Sequence, residues 1–178
     1  MKIGVIADTH DNLRFLNKVL DYLNKQEISL LIHCGDWGQP FTMRMLTKLK
    51  CPIKSVLGNA DPDIQKFLYQ LQNLEILKDL DLDIHERFYD LKFDNRKIAI
   101  FHGNDEDLNK LLVECQLFDV VCIGHDHKPK IEKVKKTLVI NPGSLIGFST
   151  ETGEEPITFA VYDTQTNKAK LFDLEKLE

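Results

Sequence analysis

Two histidines at the end of one apolar segment constrain this chain more than any other feature of its sequence. Residues 118–123 form a short, largely apolar run with β-branched side chains, which predicts a buried strand. Gly124, His125 and His127 follow it directly, so both imidazoles leave the same strand end. Glycine permits a sharp turn and a close backbone approach to a ligand. A His-x-His pair alone is weak evidence for a metal site, because such pairs also occur on surfaces and in cores.

Four other apolar runs end in Asp, Asn or His residues, and this repetition strengthens the case. The runs and the residues that follow them are 3–7 with Asp8 and His10, 30–32 with Asp36, 52–57 with Asn59 and Asp61, and 97–101 with His102. In open α/β sheets, ligands bind beyond the carboxyl ends of the strands. Each cluster has a structural alternative: Asp8 and Asp11 as helix caps, Gly58-Asn59 as an ordinary turn, Asp61 before Pro62 as a favoured N-cap, and His102 as a core histidine. The joint occurrence at five strand ends favours a metal site.

The rest of the pattern predicts a mixed α/β fold in one domain that spans residues 1–178. The first third alternates strands with helical segments, which predicts a parallel sheet, and the hairpin-rich later part predicts a second, mixed sheet. The expected helical faces are 13–23, Met45 with Leu46 and Leu49, 64–71 after Pro62 at the first helical position, and Leu108 with Leu111, Leu112 and Cys115. The expected later strands are 88–93, 97–101, 130–134, 137–140, 157–162 and 168–172, with a mobile loop at 150–156.

The composition excludes several classes of protein. The chain has 178 residues and a formal net charge of −5, so no global basic field attracts duplex nucleic acid. No apolar run approaches the ~20 residues of a membrane-spanning helix. The first apolar run stops at Asp8, unlike that of a signal peptide, so we expect a cytoplasmic protein without a membrane partner. The four cysteines lack C-x-x-C spacing and are expected to be reduced, small hydrophobic residues.

The residue types at the strand ends suit a pair of divalent cations. Carboxylate, imidazole and one amide are ligands for borderline transition metals, and the absence of thiolate argues against a structural zinc site. One carboxylate must bridge the two ions. Two such ions, ~3.5–4 Å apart, clamp a phosphoryl group and lower the pKa of a bridging water towards ~7, which gives hydroxide for in-line attack on phosphorus. The seven candidate ligands are Asp8, His10, Asp36, Asn59, His102, His125 and His127.

These residues, in this order, resemble the five signature blocks of the calcineurin-like metallophosphoesterases. The blocks are Asp8-x-His10, Gly35-Asp36, Gly58-Asn59-x-Asp61, His102-Gly103 and Gly124-His125-x-His127. The short length and the segment Asn141-Pro142-Gly143-Ser144 are similar to the small phosphodiesterases of the YfcE type. The resemblance implies a four-layer α/β/β/α sandwich of two mixed sheets flanked by helices. It also implies a ligand assignment, in which one metal is held by Asp8, His10 and His127, the other by Asn59, His102 and His125, and the bridge is Asp36.

Ala60 departs from the pattern of the wider family. Many members carry a histidine right after the motif asparagine, where it helps to protonate the leaving group, and the small branch commonly lacks it. Another acid, a good leaving group or water must then fill that role. Asp61 is a catalytic candidate beside Asn59 and His102, which are also candidate ligands. The departure lowers the expected activity on unactivated monoesters.

Three further features have both a structural and a functional interpretation. Trp37 and Phe41 could wall the site and stack a base or aryl group, although Phe41 equally suits the core. The Asn141-Pro142-Gly143-Ser144 segment is expected to form a tight turn beside the site, with Ser144 in support and not as a nucleophile. The lysines between residues 128 and 136 are expected on a solvated hairpin, with local attraction of phosphate as the alternative.

The predicted function is hydrolysis of small or nucleotide-like phosphodiesters by a dinuclear metal enzyme. The expected cofactors are two divalent transition-metal ions, with Mn²⁺ favoured and Ni²⁺, Fe²⁺ or Zn²⁺ also compatible. A phosphomonoesterase and a non-catalytic protein-binding scaffold of the same fold are the alternatives. The complete ligand set favours the enzyme, because the retromer subunit of this fold has a degraded metal site. The expected partner is a small phosphodiester substrate, not long duplex nucleic acid, and family resemblance suggests a homodimer.

Overall fold

Two β-sheets and the helices that cover them make up the described part of the chain, residues 1–149 and 153–177 of the computed structural model. The helices of this part are α1 (Leu13–Lys25), α2 (Ile64–Gln72) and α3 (Glu106–Glu114), with 3-10 helices at Pro40–Lys48, Glu75–Leu77 and Leu174–Lys176. The strands are β1 (Lys2–Ile6), β2 (Leu30–His33), β3 (Ile53–Val56), β4 (Leu82–His85), β5 (Phe88–Phe93), β6 (Arg96–Phe101), β7 (Val120–Cys122), β8 (Lys130–Val134), β9 (Thr137–Asn141), β10 (Phe148–Ser149), β11 (Gly153–Glu154), β12 (Thr158–Asp163) and β13 (Lys168–Asp173). The sheets are ordered β13-β12-β1-β2-β3-β4 and β5-β6-β7-β9-β8, and β10 pairs with β11.

The first sheet is parallel in its centre, as the alternating pattern predicts. β1, β2, β3 and β4 run parallel to their neighbours, so the loops that follow them leave the same edge. β12 pairs antiparallel with the other side of β1 and forms a hairpin with β13. The sequence does not predict β4, because this edge strand is only four residues long, alternates Leu82 and Ile84 with Asp83 and His85, and has no fully buried side chain.

The second sheet is mixed, which confirms the prediction from the hairpin-rich part of the sequence. β6 and β7 run parallel, and so do β7 and β9. The two predicted hairpins add β5 and β8 in the antiparallel direction at the two edges. The carboxyl ends of β6 and β7 therefore lie at one edge, as do those of β1 to β3 in the first sheet.

The two sheets pack face to face, and the alternation of the strands sorts their side chains into separate cores. The core between the sheets contains Ile3, Val5, Leu30, Ile32, Ile98, Ile100 and Val120. On the outer face of the first sheet, α1 packs Leu16, Leu20 and Leu23 against residues that include Ile6, Leu31 and Phe159. On the outer face of the second sheet, α3 packs Leu112 against Ala99, Phe101 and Val121. The result is the predicted four-layer α/β/β/α sandwich, in which burial of these apolar faces is the main stabilising contribution.

Two helical predictions need correction. The segment with Met45 and Leu46 forms a 3-10 helix from Pro40 that buries Met43 and Leu46 and leaves Met45 only partly covered. In α3, Leu112 is buried but Leu111 is 62% exposed, because this short helix covers the sheet with a narrower face than the spacing predicts.

The start of α2 also differs from the sequence prediction. The N-cap is Asp63, whose Oδ1 accepts hydrogen bonds from the N–H groups of Gln65 and Lys66 at 3.0 and 3.4 Å. The helix begins at Ile64, so Pro62 does not occupy its first position and Asp61 does not cap it. Asp61 is thereby free for another structural role.

The predicted mobile loop at residues 150–156 lies partly within the described part of the chain. Residues 150–152 lie outside the described residues, whereas Gly153–Glu154 pairs antiparallel with Phe148–Ser149.

Among the described helices, none combines the length and the apolar character needed to cross a bilayer.

Candidate metal centre

The loops after β1, β2, β3, β6 and β7 meet at one edge of the sandwich and bring the seven predicted ligands together. Backbone hydrogen bonds hold these loops to one another: the Thr9 N–H donates to the Asp36 carbonyl at 2.8 Å, and the Gly124 N–H donates to the His102 carbonyl at 2.7 Å. The first bond joins two loops of the first sheet, and the second joins two loops of the second sheet.

Asp36 lies in the middle of this cluster with its two carboxylate oxygens turned to different histidines. Its Oδ2 is 3.5 Å from Nε2 of His10, and its Oδ1 is 3.4 Å from Nε2 of His102. The Ala60 N–H also donates to Oδ1 at 2.8 Å. The side chain is only 4% exposed. A carboxylate in this position could serve two cations, one on each side.

The tautomer of His102 is determined by its backbone contact. Its Nδ1 lies 2.9 Å from the Cys34 carbonyl oxygen, which can only accept, so Nδ1 carries a proton. In the neutral ring Nε2 then has a lone pair, yet it faces two oxygens, Oδ1 of Asp36 at 3.4 Å and Oδ1 of Asn59 at 3.0 Å. A cation between these atoms would satisfy the lone pair and both oxygens.

Asp8 forms the centre of a second group of ligand atoms. Its Oδ1 lies 3.4 Å from Nε2 of His127 and 4.0 Å from Nε2 of His10, while its Oδ2 accepts the His125 N–H at 3.0 Å. Both Asp8 Oδ1 and His10 Nε2 are buried and have no hydrogen-bond partner among the described residues. Buried polar atoms are rarely left unpaired, so this pair fits a missing cation.

The ligand atoms form two groups that share Asp8, namely Asp8 with His10 and His127, and Asp8 with Asp36 and His102, each with all atoms within 4.8 Å of one another. The two remaining candidate ligands, Asn59 and His125, form the outer rim of the site. The His125 ring lies 5.1 Å from the His102 ring, and the side chains of His125 and Asn59 are exposed. The floor of the site is therefore buried, whereas its rim is open to a solvent-borne ligand.

Contacts among the candidate ligands shift the pKa values of His102, Asp36 and His127. Burial lowers the pKa of His102, but the Asp36 carboxylate outweighs it and the net pKa is raised. Burial raises the pKa of Asp36, but the contact with His102 outweighs it and the net pKa is lowered. The contact with Asp8 raises the pKa of His127. Each shift favours positive charge beside the two carboxylates.

Five of the seven candidate ligands have left-handed backbone conformations that non-glycine residues rarely adopt. The φ angles are 51° for Asp8, 43° for His10, 59° for Asp36, 76° for His125 and 58° for His127. Such conformations cost of order 1–3 kcal/mol each and persist where the surrounding structure enforces them, which is typical of functional sites.

Gly58 and Gly124 leave room for the candidate ligands that pack against them. A Cβ added to Gly58 would lie 2.1 Å from Oδ1 of Asp36, and one added to Gly124 would lie 2.7 Å from Oδ2 of Asp8. Neither glycine is in the left-handed region, so close approach alone explains the residue type.

Asp61 supports the site from below the loops after β2 and β3. Its Oδ2 accepts the N–H groups of Asp36 and Gly58 at 3.0 and 2.8 Å, and its Oδ1 accepts that of Gly38 at 2.9 Å. Burial, the largest effect, raises the pKa of Asp61 to about 6. With three N–H groups on its carboxylate, Asp61 is better placed to hold these loops than to donate a proton to a leaving group.

The predicted tight turn lies beside the site and supports it. The Ser144 hydroxyl donates to the Asp8 carbonyl at 3.2 Å, and the Leu145 N–H donates to the same oxygen at 3.1 Å. The Asn141 side chain donates to the Gly124 carbonyl at 3.2 Å and to Oδ1 of Asp126 at 2.7 Å. The expected position of the turn beside the candidate ligands is therefore confirmed.

The interpretation of Trp37 as a pocket wall is wrong. Trp37 is fully buried and its ring stacks on His33 at a centroid distance of 3.4 Å. Phe41 is 47% exposed and does not belong to the core. The lysines between residues 128 and 136 are all exposed on β8 and its flanking turns, as expected for a solvated hairpin. Sequence reasoning missed His33, whose only signal is its place three residues before Asp36.

A groove of about 720 Å³ is lined by residues of the loops that also carry Asn59 and His102. These residues include Gly58, next to Asn59, and Asn104, two residues after His102. The charged residues of its wall are Asp61, Asp63, Glu86, Arg87 and Asp105. Arg87 and Asp105 form an ion pair at 2.5 Å. The groove offers room for a substituent attached to a group held at the ligand cluster.

Comparisons with known proteins agree with this geometry. The chain is 32% identical over 176 residues to phosphodiesterase MJ0936 of Methanocaldococcus jannaschii, covering 98% of this chain and 100% of that protein. The structure of an archaeal phosphodiesterase superposes with a TM-score of 0.84 at 30% identity, covering 97% of this chain and 99% of that one. The phosphoesterase YfcE of E. coli shares the fold, with a TM-score of 0.67 at 18% identity over 98% of this chain and 100% of that one. Residues 1–167 match the family model of the calcineurin-like phosphoesterase superfamily domain, and the chain belongs to this superfamily.

Proposed function

We propose that this protein is a metal-dependent phosphodiesterase that hydrolyses small or nucleotide-like phosphodiesters at two divalent transition-metal ions. The observation that carries the proposal is the position of Asp36, which presents one carboxylate oxygen to His10 and the other to His102. The similarity to an archaeal phosphodiesterase supports the diester as substrate.

The donor set fits two such ions. The first would be held by Asp8, His10 and His127, and the second by Asn59, His102 and His125, with Asp36 shared by both. Imidazole, carboxylate and amide donors suit Mn²⁺, Ni²⁺, Fe²⁺ or Zn²⁺, of which we favour Mn²⁺. The unpaired Asp8 Oδ1 and His10 Nε2, and the His102 lone pair that faces two oxygens, are the atoms that cations would satisfy.

When bound, two ions of this kind polarise phosphoryl oxygens and provide a water acidic enough to be a nucleophile near neutral pH. The chain contributes position and charge. Its seven ligands carry only two carboxylates, so the occupied site keeps a positive charge that matches a monoanionic diester. The neutral Asn59 preserves this balance. The exposed rim of His125 and Asn59 admits the phosphoryl group, and the groove beside it receives one substituent.

The leaving group receives no proton from the residue after Asn59, which is Ala60. Asp61 is engaged by three backbone N–H groups, so we assign it to positioning the loops. Protonation from solvent then limits the reaction to diesters with good leaving groups or to slow turnover of poor ones. This restriction also argues against an efficient phosphomonoesterase.

The test uses metal-stripped protein with bis(p-nitrophenyl) phosphate and p-nitrophenyl phosphate. Mn²⁺, Ni²⁺, Mg²⁺ or Zn²⁺ is added back in separate assays, and bound metal is counted by elemental analysis. We expect diester turnover that depends on a transition metal and exceeds monoester turnover. Stoichiometric metal binding without turnover of either ester would reject the enzyme and favour the protein-binding scaffold.

A further inference from the structure

His33 lies under the metal centre and connects two of its loops. The ring is completely buried at the end of β2. Its Nε2 lies 2.6 Å from the hydroxyl of Thr9, in the loop after β1. Its Nδ1 accepts the N–H of Gly35, in the loop after β2, at 3.1 Å. One imidazole therefore spans the two loops that carry Asp8, His10 and Asp36.

The two contacts determine the protonation state of the ring. A backbone N–H can only donate, so Nδ1 of His33 has a lone pair and the proton of the neutral ring is on Nε2. That proton is then donated to the Thr9 hydroxyl. A charged imidazolium would place its Nδ1–H against the Gly35 N–H. Burial, the largest effect, also lowers the pKa of His33 well below its ordinary value, which agrees with a neutral ring.

Trp37 restricts the orientation of the ring, and Ser55 ties Trp37 to the backbone of His33. Trp37 stacks on His33 at an interplanar angle of 12°. The Trp37 indole N–H donates to the Ser55 hydroxyl at 2.8 Å, and that hydroxyl donates to the His33 carbonyl at 3.0 Å. His33 is fixed in both position and orientation.

The two hydrogen bonds of the His33 ring are made to residues next to strained backbone. Thr9 lies between Asp8 and His10, which have φ angles of 51° and 43°, and Gly35 precedes Asp36, which has a φ of 59°. Non-glycine residues in this region need external support. The hydrogen bond from His33 to Thr9 supplies such support on one side, and the Gly35 N–H bond supplies it on the other.

We propose that His33 is a positioning residue of the metal centre, which as a neutral Nε2–H imidazole sets the distance between the Asp8–His10 loop and Asp36. This inference rests on the proposed metal-dependent function. The Thr9 contact of His33 adjoins Asp8 and His10, which the proposal assigns to the first metal, whereas its Gly35 contact adjoins the shared Asp36. Loss of the Thr9 contact should therefore affect the first metal most.

The experiment compares Thr9→Val, which removes the hydroxyl at constant shape, with Thr9→Ser, which keeps it. The matched control is Thr137→Val, which removes another buried hydroxyl with one hydrogen bond, to the Phe118 carbonyl at 2.8 Å, at the start of β9. Calorimetric titration with Mn²⁺ gives the two dissociation constants, and urea unfolding gives the stability of each metal-free variant. ¹⁵N NMR of metal-free wild type reports the His33 tautomer.

We expect an Nε2–H tautomer, and a first-metal affinity about tenfold weaker in Thr9→Val, within the range seen for groups that orient metal ligands. Thr9→Ser should bind within about twofold of wild type, and Thr137→Val should lose similar stability without a change in the ratio of the two affinities. A charged or Nδ1–H ring would overturn the inference, as would wild-type Mn²⁺ binding by Thr9→Val. Either of these results would overturn the role of His33 without contradicting the proposed metal site. If wild-type protein binds no Mn²⁺, the proposed function is rejected as well.

Discussion

Oδ1 of Asp36 lies 3.4 Å from Nε2 of His102, and the side chains are only 4% and 1% exposed. Because the opposite ring nitrogen of His102 donates to the Cys34 carbonyl, this contact joins a lone pair and a carboxylate without a proton between them in the neutral ring. Two atoms that both attract positive charge are thus held together by the surrounding backbone. A metal cation satisfies both atoms at this position, as does a second proton on His102, whose pKa is raised.

The first prediction concerns Asp36→Asn. The amide has the size of the carboxylate but lacks its charge, and its NH₂ group must face either His10 or His102. We expect both metals to bind more than ~100-fold more weakly and kcat/KM for bis(p-nitrophenyl) phosphate to fall at least as much. Elemental analysis after dialysis measures the bound metal. Asp21→Asn on the exposed face of α1 is the matched control, and retention of two ions by Asp36→Asn would contradict a bridging role.

The second prediction separates the two metal positions. His125 lies beside His102, whereas His127 contacts Asp8. His125→Ala should therefore weaken only the second metal, and His127→Ala only the first, so that each variant keeps about one ion at limiting metal concentration. A two-site Mn²⁺ titration of each variant gives the answer. Loss of the same ion from both variants would show that the assignment is wrong.

The sequence predicts which side chains come together, because metal chemistry would select their residue types. Asp, Asn and His after five apolar runs can be identified in the sequence without knowledge of the fold. Parallel strands then place those residues at one edge. The same reasoning predicts the two sheets and the supporting turn at Asn141-Pro142-Gly143-Ser144.

What the sequence does not predict depends on contacts that arise only when the loops are folded. Asp61 is followed by a proline, as a helix cap would be, but its carboxylate accepts N–H groups from Asp36, Gly38 and Gly58 instead. Trp37 follows a ligand, as a pocket wall would, but it packs inward because His33 offers its ring face. The sequence pattern does not predict these contacts, because the tertiary structure determines which groups meet.

The third prediction tests the space around the Asp36 carboxylate, the proposed bridge. In Gly58→Ala the new Cβ would lie 2.1 Å from Oδ1 of Asp36 and 2.6 Å from its backbone nitrogen, so the loop must move. We expect metal affinity to fall at least tenfold while the sheets stay folded, as judged by circular dichroism. Unchanged Mn²⁺ binding would mean that Asp36 can move aside without loss and does not bridge.

The fourth prediction is a pH dependence of metal binding. The pKa values of His102 and His127 are raised above the ordinary 6.5 in the metal-free site. A metal must displace these protons, so the apparent affinity should fall as the pH is lowered through the raised pKa values, by up to about tenfold per pH unit for each proton displaced. Mn²⁺ titrations between about pH 6 and about pH 8 measure this trend.

The stability of the metal-free protein should have the opposite trend. A histidine whose pKa is raised on folding stabilises the folded state below the unfolded pKa, and this contribution disappears as the pH rises through the folded pKa. Urea unfolding over the same range tests it. If affinity does not depend on pH in this range, His102 and His127 are not the groups that exchange a proton for the metal.

The last prediction concerns Asp61→Asn, which distinguishes a positioning role from a proton donor. Asn has one acceptor oxygen in place of two, so at least one of the N–H groups of Asp36, Gly38 and Gly58 loses its acceptor and faces an NH₂ group instead. We expect the free energy of unfolding to fall by about 1–3 kcal/mol and the metal affinity to weaken, because both loops that carry Asp36 and Asn59 loosen. A proton donor would behave differently, since kcat would then fall most for esters with poor leaving groups while metal binding stayed constant. Comparison of p-nitrophenyl and unactivated alkyl diesters at saturating Mn²⁺ measures that difference. An equal effect on both esters, together with weaker metal binding, is the result that positioning requires.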